Sequence, residues 1–274
     1  MAAPGTWDDW IGRSETRHDV LTQGLIDRLR ATIDSGESGP VAPQGIHWCL
    51  CLPDAPTAML SEDGHPVKGG FLPPIDLPRR MWASSSIDFL APLAAGAAIE
   101  RRSTIAAIEC KAGASGPLVF VTVAHATFAD GAEAVRERQT IVYREAASAV
   151  PGTQAGPAQT PPGRVIMPPS PLLLRYSALT FNAHRIHYDR PYATEIEGYR
   201  GLVVHGPLMA TLLLDEAARA LGANRLTHFA FRGVGPAFAD EPLGLTCARE
   251  ADTLTLTAHG PHGPVMKAEA RVAL

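Results

Sequence analysis

Apolar positions along the chain predict two long helices. In VLTQGLIDRLRATI, which follows Asp19, apolar residues stand at positions 20, 21, 25, 26, 29 and 33, a spacing close to 3.6 residues. A second segment, GPLMATLLLDEAARALGAN at 206–224, is apolar nearly all round, with Pro207 at a natural first position and Gly222 near the end. Such a helix is expected to be enclosed by other elements.

The other apolar runs are divided by Gly, Ser, Asp and Pro, as antiparallel strands require. In the first half they occupy 84–93, 98–113, 116–130 and 134–146; in the second half 172–180 (LLLRYSALT), 226–235, 243–252, 253–260 and 264–274. Each half thus combines one helix with several antiparallel strands. We predict an α+β fold of the double-hotdog type, in which two antiparallel sheets each wrap a central helix.

A segment rich in Pro, Ala and Gly separates the two halves. AASAVPGTQAGPAQTPPGRVIMPPS at 146–170 has no periodicity, which is typical of a linker or a long crossover. We therefore predict an N-terminal unit at 1–145 and a C-terminal unit at 171–274, each long enough for its own core.

Composition excludes several classes of protein. Of the 274 residues, 46% are hydrophobic and 19% charged, which is typical of a globular protein. The net charge of -4 argues against a nucleic-acid-binding protein. The chain has no run of about 18 uncharged apolar residues and no apolar core near its start, so we expect neither a membrane span nor a secretory signal.

Two of the four cysteines, Cys49 and Cys51, flank Leu50, which would place both thiols on one face of a strand. A metal or redox pair is one interpretation. Two buried thiols in a reducing cytosol are the favoured one, since no C-x-x-C occurs. We accordingly expect a cytoplasmic protein.

The stretch RYSALTFNAHRIHYD at 175–189 concentrates polar chemistry among apolar neighbours. A metal site would use His184, His187 and Asp189, with His205 as a further ligand. Hydrogen-bonded histidines in a plain loop are the second interpretation, and a catalytic loop is the third. No G-x-S-x-G, P-loop, H-E-x-x-H or G-x-G-x-x-G motif is present, which disfavours hydrolase triads, nucleotide sites and dehydrogenase cofactors.

Downstream residues favour the catalytic interpretation. EGYRGLVVHGPLM leads through a turn into a helix that would begin at Gly206. Free N–H groups and the positive end of the helix dipole make such a start suited to a developing oxyanion. Together with a nearby histidine, it could polarise a thioester carbonyl and move a proton at the adjacent carbon.

These residues resemble the MaoC-type hydratase/dehydratase family, whose motif is approximately [ST]-G-D-x-N-P-[LIV]-H. Thr180, Ile186 and His187 match it, and Asn182 stands at the position of the family aspartate; Phe181, His184 and Arg185 also depart from the motif. The form SALTFNAHRIHYDRPYA, with EGYRGLVVHGPL, is similar to the branch of mitochondrial 3-hydroxyacyl-thioester dehydratases and bacterial mesaconyl-C4-CoA or itaconyl-CoA hydratases. GGFLPPIDLPRRMWASSSIDF, RRSTI and SGPLVFVTVAH resemble the FAS1-like dehydratase N-terminal domain.

The resemblance implies reversible addition of water to an enoyl thioester, with His187 as acid/base and the N–H of Gly206 as oxyanion donor. An amide cannot act as a general base, so Asn182 would orient water or be structural. Proton transfer would then fall to His187 alone, or to a carboxylate from elsewhere such as Asp189 or Glu195.

Further site residues are expected in the N-terminal half. Arg79 and Arg80 would bind CoA phosphates or a substrate carboxylate, or else form a solvated surface pair. Trp82 would line an acyl pocket or be a core aromatic, and His205 is a candidate substrate contact. The N-terminal half has no counterpart of N-x-x-x-x-H, so we expect one active site per chain, between the two helices.

The leading hypothesis is hydration of itaconyl-CoA or mesaconyl-C4-CoA to citramalyl-CoA. The alternatives are a dehydratase of ordinary 3-hydroxyacyl thioesters on CoA or an acyl carrier protein, a non-catalytic acyl-CoA-binding protein, and a hotdog thioesterase. No cofactor or metal is implied, the expected partner is the acyl-CoA substrate, and a homodimer is optional.

Overall fold

The backbone of the described residues forms one antiparallel sheet, with strands of different lengths, flanked by helices. A computed structural model describes residues 7–113, 116–145 and 158–272. The helices are α1 (Gln23–Ile33), α2 (Ser170–Leu179) and α3 (Gly206–Leu221). The strands are β1 (Ser14–Val20), β2 (Arg79–Phe89), β3 (Ala98–Gly113), β4 (Gly116–Ala129), β5 (Ala132–Arg144), β6 (Arg164–Ile166), β7 (Leu226–Gly233), β8 (Leu243–Glu250), β9 (Thr253–Gly260) and β10 (Gly263–Val272).

One strand pair joins the two halves of the chain. The strand order is β1-β3-β4-β5-β2-β7-β10-β9-β8-β6, so β2 and β7 meet in the middle. Their antiparallel register runs from Ser84 opposite Arg232 to Asp88 opposite His228. Because backbone hydrogen bonds cross this seam, groups on β2 are held in a fixed position relative to the C-terminal half.

The first predicted helix begins later than its apolar period suggests. We predicted helix from Val20, but Val20 ends β1, and α1 begins at Gln23. Thr22 decides the boundary, because its side chain accepts a hydrogen bond from the N–H of Leu25 at 3.1 Å and caps the helix. The helix ends at Asp34, which adopts the left-handed conformation.

The prediction of a strand at 172–180 was wrong. Residues 172–179 lie in α2 and Thr180 caps its end; Leu173, Tyr176 and Leu179 are buried at three-residue spacing on one helix face. Pro171 stands in the first turn, where proline is tolerated. A short apolar run does not distinguish a strand from a buried helix, and packing of α2 against α1 decides it here.

The long helix α3 is the centre of the C-terminal half. It packs against β8, β9, β10 and β2, and most of its side chains are buried. Its bounds confirm the predicted helix that starts at Gly206 and stops at Gly222. Within the described ranges, no helix combines the length and apolarity that a membrane crossing requires.

The prediction that Cys49 and Cys51 lie on a strand was also wrong. Cys49 ends a 3-10 turn at Ile46–Cys49, and Cys51 has a positive φ of 50°. Both thiols are nevertheless buried and free. Burial raises the pKa of Cys49 to about 12, which leaves a poor nucleophile and metal ligand. The structure supports buried thiols, not a metal or redox pair.

Part of the predicted linker joins the C-terminal sheet. Residues 146–157 lie outside the described ranges. Further on, β6 pairs with β8, with Val165 opposite Gly244, and α2 begins at Ser170. Gly244 permits this close approach, because a Cβ there would lie 2.2 Å from the carbonyl oxygen of Pro162.

A buried carboxylate organises the polar interior of the N-terminal half. Glu137 on β5 accepts hydrogen bonds from Ser85 Oγ at 2.6 Å and from Trp48 Nε1 at 3.2 Å. His47 Nε2 lies 3.4 Å from the same carboxylate. Trp82 donates to Ser85 Oγ at 2.9 Å, so its indole is anchored to this network.

Candidate active site

His187 is held in an orientation suited to accepting a proton. It ends the 3-10 turn Arg185–His187 and is 6% exposed. Its Nδ1 lies 2.7 Å from the carbonyl oxygen of Val203, so Nδ1 carries the proton and donates it. The lone pair is therefore on Nε2.

His205 supports the ring of His187 from one side. The two imidazoles stack with centroids 3.6 Å apart and planes 19° from parallel. His205 is 1% exposed, and its Nε2 lies 2.8 Å from Ser177 Oγ. It immediately precedes Gly206, the first residue of α3. This stacking places His187 beside the start of α3, the position that the catalytic interpretation requires.

Burial keeps the site histidines uncharged. The pKa of His187 falls to about 3, first because burial removes water from the charged form and then because His184 is close. Burial and the neighbouring His65 lower the pKa of His184 to about 2. His187 is thus a neutral imidazole at ordinary pH, able to accept a proton but holding it weakly.

Gly206 leaves space at the start of α3. A Cβ at this position would meet one protein atom, the carbonyl oxygen of Trp82, at 3.8 Å. Pro207 has no N–H, so Gly206 and Leu208 supply the free donors of the first turn. The first turn can therefore present an N–H to an oxyanion, as predicted from the sequence.

Asn182 is engaged with the backbone of its own loop. Its Oδ1 accepts a hydrogen bond from the N–H of His184 at 3.0 Å. Its own N–H donates to the carbonyl of Ser177 at 2.9 Å, after the left-handed Phe181 (φ 49°). The amide Nδ2 is the part of this side chain left for water, so an orienting role would use a donor.

The two other carboxylates named from the sequence are directed elsewhere. Asp189 accepts from Arg185 Nε and Nη2 at 3.0 and 2.7 Å and from the N–H of Tyr192 at 3.2 Å. Arg185 holds the pKa of Asp189 below its ordinary value. Glu195 lies exposed on a short π turn at Tyr192–Ile196. The structure therefore does not join either one to His187.

A loop from the N-terminal half brings an Asp–His pair that the sequence analysis missed. In the 61–65 loop, His65 Nδ1 lies 2.8 Å from Asp63 Oδ2, and the ring of His65 lies 4.1 Å from that of His184. The N–H of Arg185 donates to the carbonyl of Asp63 at 2.9 Å. The only sequence signal was the turn-forming SEDGHPV, which contains nothing that indicates contact with residues 120 positions later.

Gly64 makes this contact between loops possible. Its φ is +88°, and a Cβ there would lie 1.8 Å from the carbonyl oxygen of Ala183. We expect Gly64→Ala to lower the free energy of unfolding by about 2–3 kcal/mol, through backbone strain and the clash, and to reduce activity. Denaturant unfolding and initial rates measure both effects.

Gly69→Ala is the matched control for Gly64. Gly69 has φ +89°, but a Cβ there would meet Pro74 at an ordinary 3.6 Å. The control therefore carries the strain without the clash and should retain activity. Equal losses in both variants would contradict tight packing of Gly64 on Ala183.

Arg79 and Arg80 point to opposite faces of β2, so they do not form one fork. Arg79 is buried and bound to Glu197, with Nε 2.9 Å from Oε2 and Nη2 2.6 Å from the carbonyl oxygen. Arg80, which lies opposite Tyr143 on β5, forms no ion pair among the described residues, and its charge adds to the effect of burial in lowering the pKa of His65 and His184. Arg80 is thus the cation that borders the site.

Asp63, His65 and His184 are also close enough together to be examined as ligands of a metal ion. Their ligand atoms lie within 4.8 Å of one another. The 2.8 Å contact between Asp63 and His65 is a hydrogen bond, however, with the imidazole as donor. The set proposed from the sequence is not assembled, since Asp189 pairs with Arg185. We assign no metal ligand in this site.

The model of the family described as hydroxyacyl-thioester dehydratase type 2 matches residues 45–239. This chain belongs to that family. It is 44% identical over 266 residues to a mesaconyl-C(4)-CoA hydratase of Chloroflexus aurantiacus, covering 94% of each chain. It is 27% identical to the mitochondrial hydroxyacyl-thioester dehydratase type 2 of Schizosaccharomyces pombe, covering 86% of this chain and 90% of the relative.

Two solved structures share the fold of this chain. HtdX of Mycobacterium tuberculosis has a TM-score of 0.70 at 19% identity and covers 95% of this chain and 100% of its own. Another protein of that organism, described as having a double hotdog fold, has a TM-score of 0.58 at 13% identity, with 96% of each chain covered. The double-hotdog prediction is confirmed.

Proposed function

We propose that this member of the dehydratase family is a hydro-lyase that adds water reversibly to mesaconyl-C4-CoA or itaconyl-CoA, giving citramalyl-CoA. The observation that carries this proposal is the 44% identity to a mesaconyl-C(4)-CoA hydratase across 94% of both chains. A neutral His187 beside the first turn of α3 is the arrangement that such chemistry needs.

In mesaconyl-C4-CoA, with carbons counted from the thioester carbonyl as C1, water oxygen bonds to C3 as the C2=C3 π electrons move toward that carbonyl. The thioester oxygen then carries negative charge, which the N–H of Gly206 stabilises at the positive end of α3. His187 Nε2 accepts a proton from water, and a proton is delivered to C2. Asn182 Nδ2 orients the water. We assign His205, a candidate substrate contact from the sequence, the role of fixing the plane of the His187 ring by stacking on it.

The positive charge of Arg80 favours a dicarboxylic substrate. Mesaconyl-C4-CoA carries a free carboxylate next to C3, and we assign its recognition to the Arg80 guanidinium, which forms charge-assisted hydrogen bonds with carboxylates. Arg79 then has a structural role through Glu197. Trp82, anchored at Ser85, borders Gly206 through its carbonyl and is assigned to the wall of the acyl pocket.

Both units contribute to the proposed site. The C-terminal unit carries His187 and α3, and the N-terminal unit shapes the substrate pocket through β2 and the 61–65 loop. CoA thioesters are intracellular metabolites, so the proposal places the reaction in the cytoplasm.

We expect the purified protein to hydrate mesaconyl-C4-CoA or itaconyl-CoA with a higher kcat/KM than crotonyl-CoA, which lacks the second carboxylate. Arg80→Gln should raise KM for the dicarboxylic substrate about 10- to 100-fold, because one charged hydrogen-bonding partner is lost. It should leave crotonyl-CoA nearly unaffected. Chromatographic separation of the substrate and product CoA thioesters gives the rates.

Arg102→Gln is the control, because Arg102 is an exposed arginine on β3 paired with Glu100 at 2.6 Å. Equal or better turnover of crotonyl-CoA would instead support a dehydratase of ordinary 3-hydroxyacyl thioesters. Release of free CoA without hydration would identify a thioesterase. No turnover of any enoyl-CoA would leave a non-catalytic acyl-CoA-binding protein.

A further inference from the structure

Hydration takes one proton from water and delivers one to carbon, and the 182–189 segment places no carboxylate beside His187 to share these two transfers. Asn182 is an amide whose Oδ1 is occupied by the N–H of His184. Asp189 is bound by Arg185, and Glu195 is exposed on a neighbouring turn. His187 carries one lone pair at Nε2 and donates its other ring nitrogen to Val203.

An Asp–His pair from the N-terminal half is close to this position. Asp63 is fixed by four contacts: its Oδ1 accepts from Ser61 Oγ at 2.5 Å and from the N–H of His65 at 3.0 Å, its Oδ2 binds His65 Nδ1 at 2.8 Å, and its carbonyl accepts from Arg185. The hydrogen bonds hold the pKa of Asp63 well below its ordinary value against the effect of burial. A permanent carboxylate thus holds Nδ1 of His65 and leaves Nε2 available.

The imidazole of His184 lies between this pair and His187. The rings of His65 and His184 lie 4.1 Å apart, and those of His184 and His187 lie 5.4 Å apart in an edge-to-face arrangement. Gly64 keeps the 61–65 loop against the carbonyl of Ala183, so this row is held by backbone contacts. His65 therefore lies in the same cluster of rings as His187, one ring away from it.

We propose that His65, backed by Asp63, is the second acid–base group of the site and replaces the carboxylate that the family motif places at position 182. The proposal rests on the hydration function given above. In the forward direction, His187 Nε2 takes a proton as the O–H bond of water breaks and the C3–O bond forms. The His65 imidazolium gives its proton to C2, forming the C2–H bond as the thioester enolate collapses. His187 then loses its proton to water and His65 takes one up from water, so the cycle consumes one water and nothing else.

The charges that face His65 set the direction of its pH dependence. Burial lowers the pKa of His65 below its ordinary value and Arg80 on β2 lowers it further, while the hydrogen bond and charge of Asp63 oppose both, so the imidazolium is present only on the acid side of that lowered pKa. Since His65 must be protonated, kcat/KM for hydration should fall as pH rises through its pKa. Since His187 must be neutral, kcat/KM should fall at low pH. The expected profile is bell-shaped.

The test is the pH profile of hydration in His65→Gln and Asp63→Asn, each compared with the unmodified protein. His65→Gln should lower kcat about 10²-fold and remove the alkaline limb, because no group remains to titrate there. Asp63→Asn removes the anion that stabilises the imidazolium, so the alkaline limb should move to lower pH. Circular dichroism and thermal unfolding establish that both variants are folded.

A matched control lies elsewhere on the same sheet. His228 Nδ1 is 2.7 Å from Asp88 Oδ1, the same kind of pair, about 27 Å along β2 from Arg80. His228→Gln should keep the rate and both limbs. Dialysis against a chelator should also leave the rate unchanged; loss of activity restored by Zn²⁺ would make the cluster a metal site and overturn the proposal.

Two results separate failure of this inference from failure of the proposed function. If the unmodified protein hydrates no enoyl-CoA, the proposed function itself is wrong. If it does so but His65→Gln retains the alkaline limb, or lowers kcat equally at every pH, the role of His65 is structural and the inference is wrong. An unmodified profile without an alkaline limb overturns it in the same way.

Discussion

His187→Ala is expected to lower kcat for hydration about 10³-fold while the protein remains folded. The substitution removes the lone pair that accepts the proton from water, and general acid–base groups contribute about 10²- to 10⁴-fold. The ring makes few stabilising polar contacts besides Nδ1 with Val203, so the main loss is in the chemical step. KM should change little, because the ring is buried beside His205 and does not supply the CoA contacts.

His187→Gln distinguishes loss of chemistry from loss of packing. Glutamine can donate to the carbonyl of Val203 and fill most of the same volume, but it cannot accept and release a proton. Its kcat should therefore be as low as that of the alanine variant, with stability closer to the unmodified protein. Hydration that persists unchanged in both variants would show that the site has been assigned to the wrong residue.

The low pKa of His187 also fixes the acid limb of activity. A base is active when unprotonated, and burial lowers the pKa of His187 to about 3. The acid limb of kcat/KM should therefore lie well below pH 6.5, the ordinary value for histidine. A limb at pH 6 to 7 would indicate that His187 is solvated or paired with a carboxylate in the working enzyme.

Glu137→Ala is expected to cost about 3–5 kcal/mol of folding free energy, the loss typical of breaking a buried ionic network. It removes the acceptor for Ser85 and Trp48 and the charge beside His47, all in the N-terminal interior. Because Trp82 is anchored at Ser85, its indole should loosen as well, which urea titration followed by tryptophan fluorescence would detect.

Glu133→Ala on the same strand is the control for Glu137. Glu133 pairs with Arg136 at 2.8 Å near the surface, where ion pairs contribute about 0–1 kcal/mol. Similar losses in the two variants would contradict the role of the Glu137 network.

Glu137 also makes the stability of the protein depend on pH over a defined interval. Burial by itself raises the pKa of Glu137, but the nearby His47 and the Ser85 hydroxyl outweigh it, and the pKa falls to about 2 from an ordinary 4.5. A lowered folded-state pKa gives stability that is fully present above pH 4.5 and is lost as pH falls toward 2. The stability difference between the unmodified protein and Glu137→Gln should shrink over that interval.

The sequence pattern predicted a helix or strand correctly where the signals that define the element lie within the element itself. The apolar surface and the Pro207 and Gly222 signals of α3 lie within the helix itself, and the strands from β7 to β10 are divided by their own turn residues. Where a segment depends on what it packs against, the pattern was ambiguous: 172–180 became α2 because it is buried against α1. Thr22 moved the start of α1, since a side-chain cap outweighs two further apolar positions.

For the proposed site, the sequence alone pointed to His187, Gly206 and the absent carboxylate at Asn182, because these lie on one motif and one helix start. It did not identify Asp63 and His65, which reach His184 through a loop more than 100 residues away. It paired Arg79 with Arg80, but the alternation of β2 separates them. Which charges meet in the site is a matter of contacts between distant segments, and these are decided by the β2–β7 seam and by Gly64, which lets two loops touch.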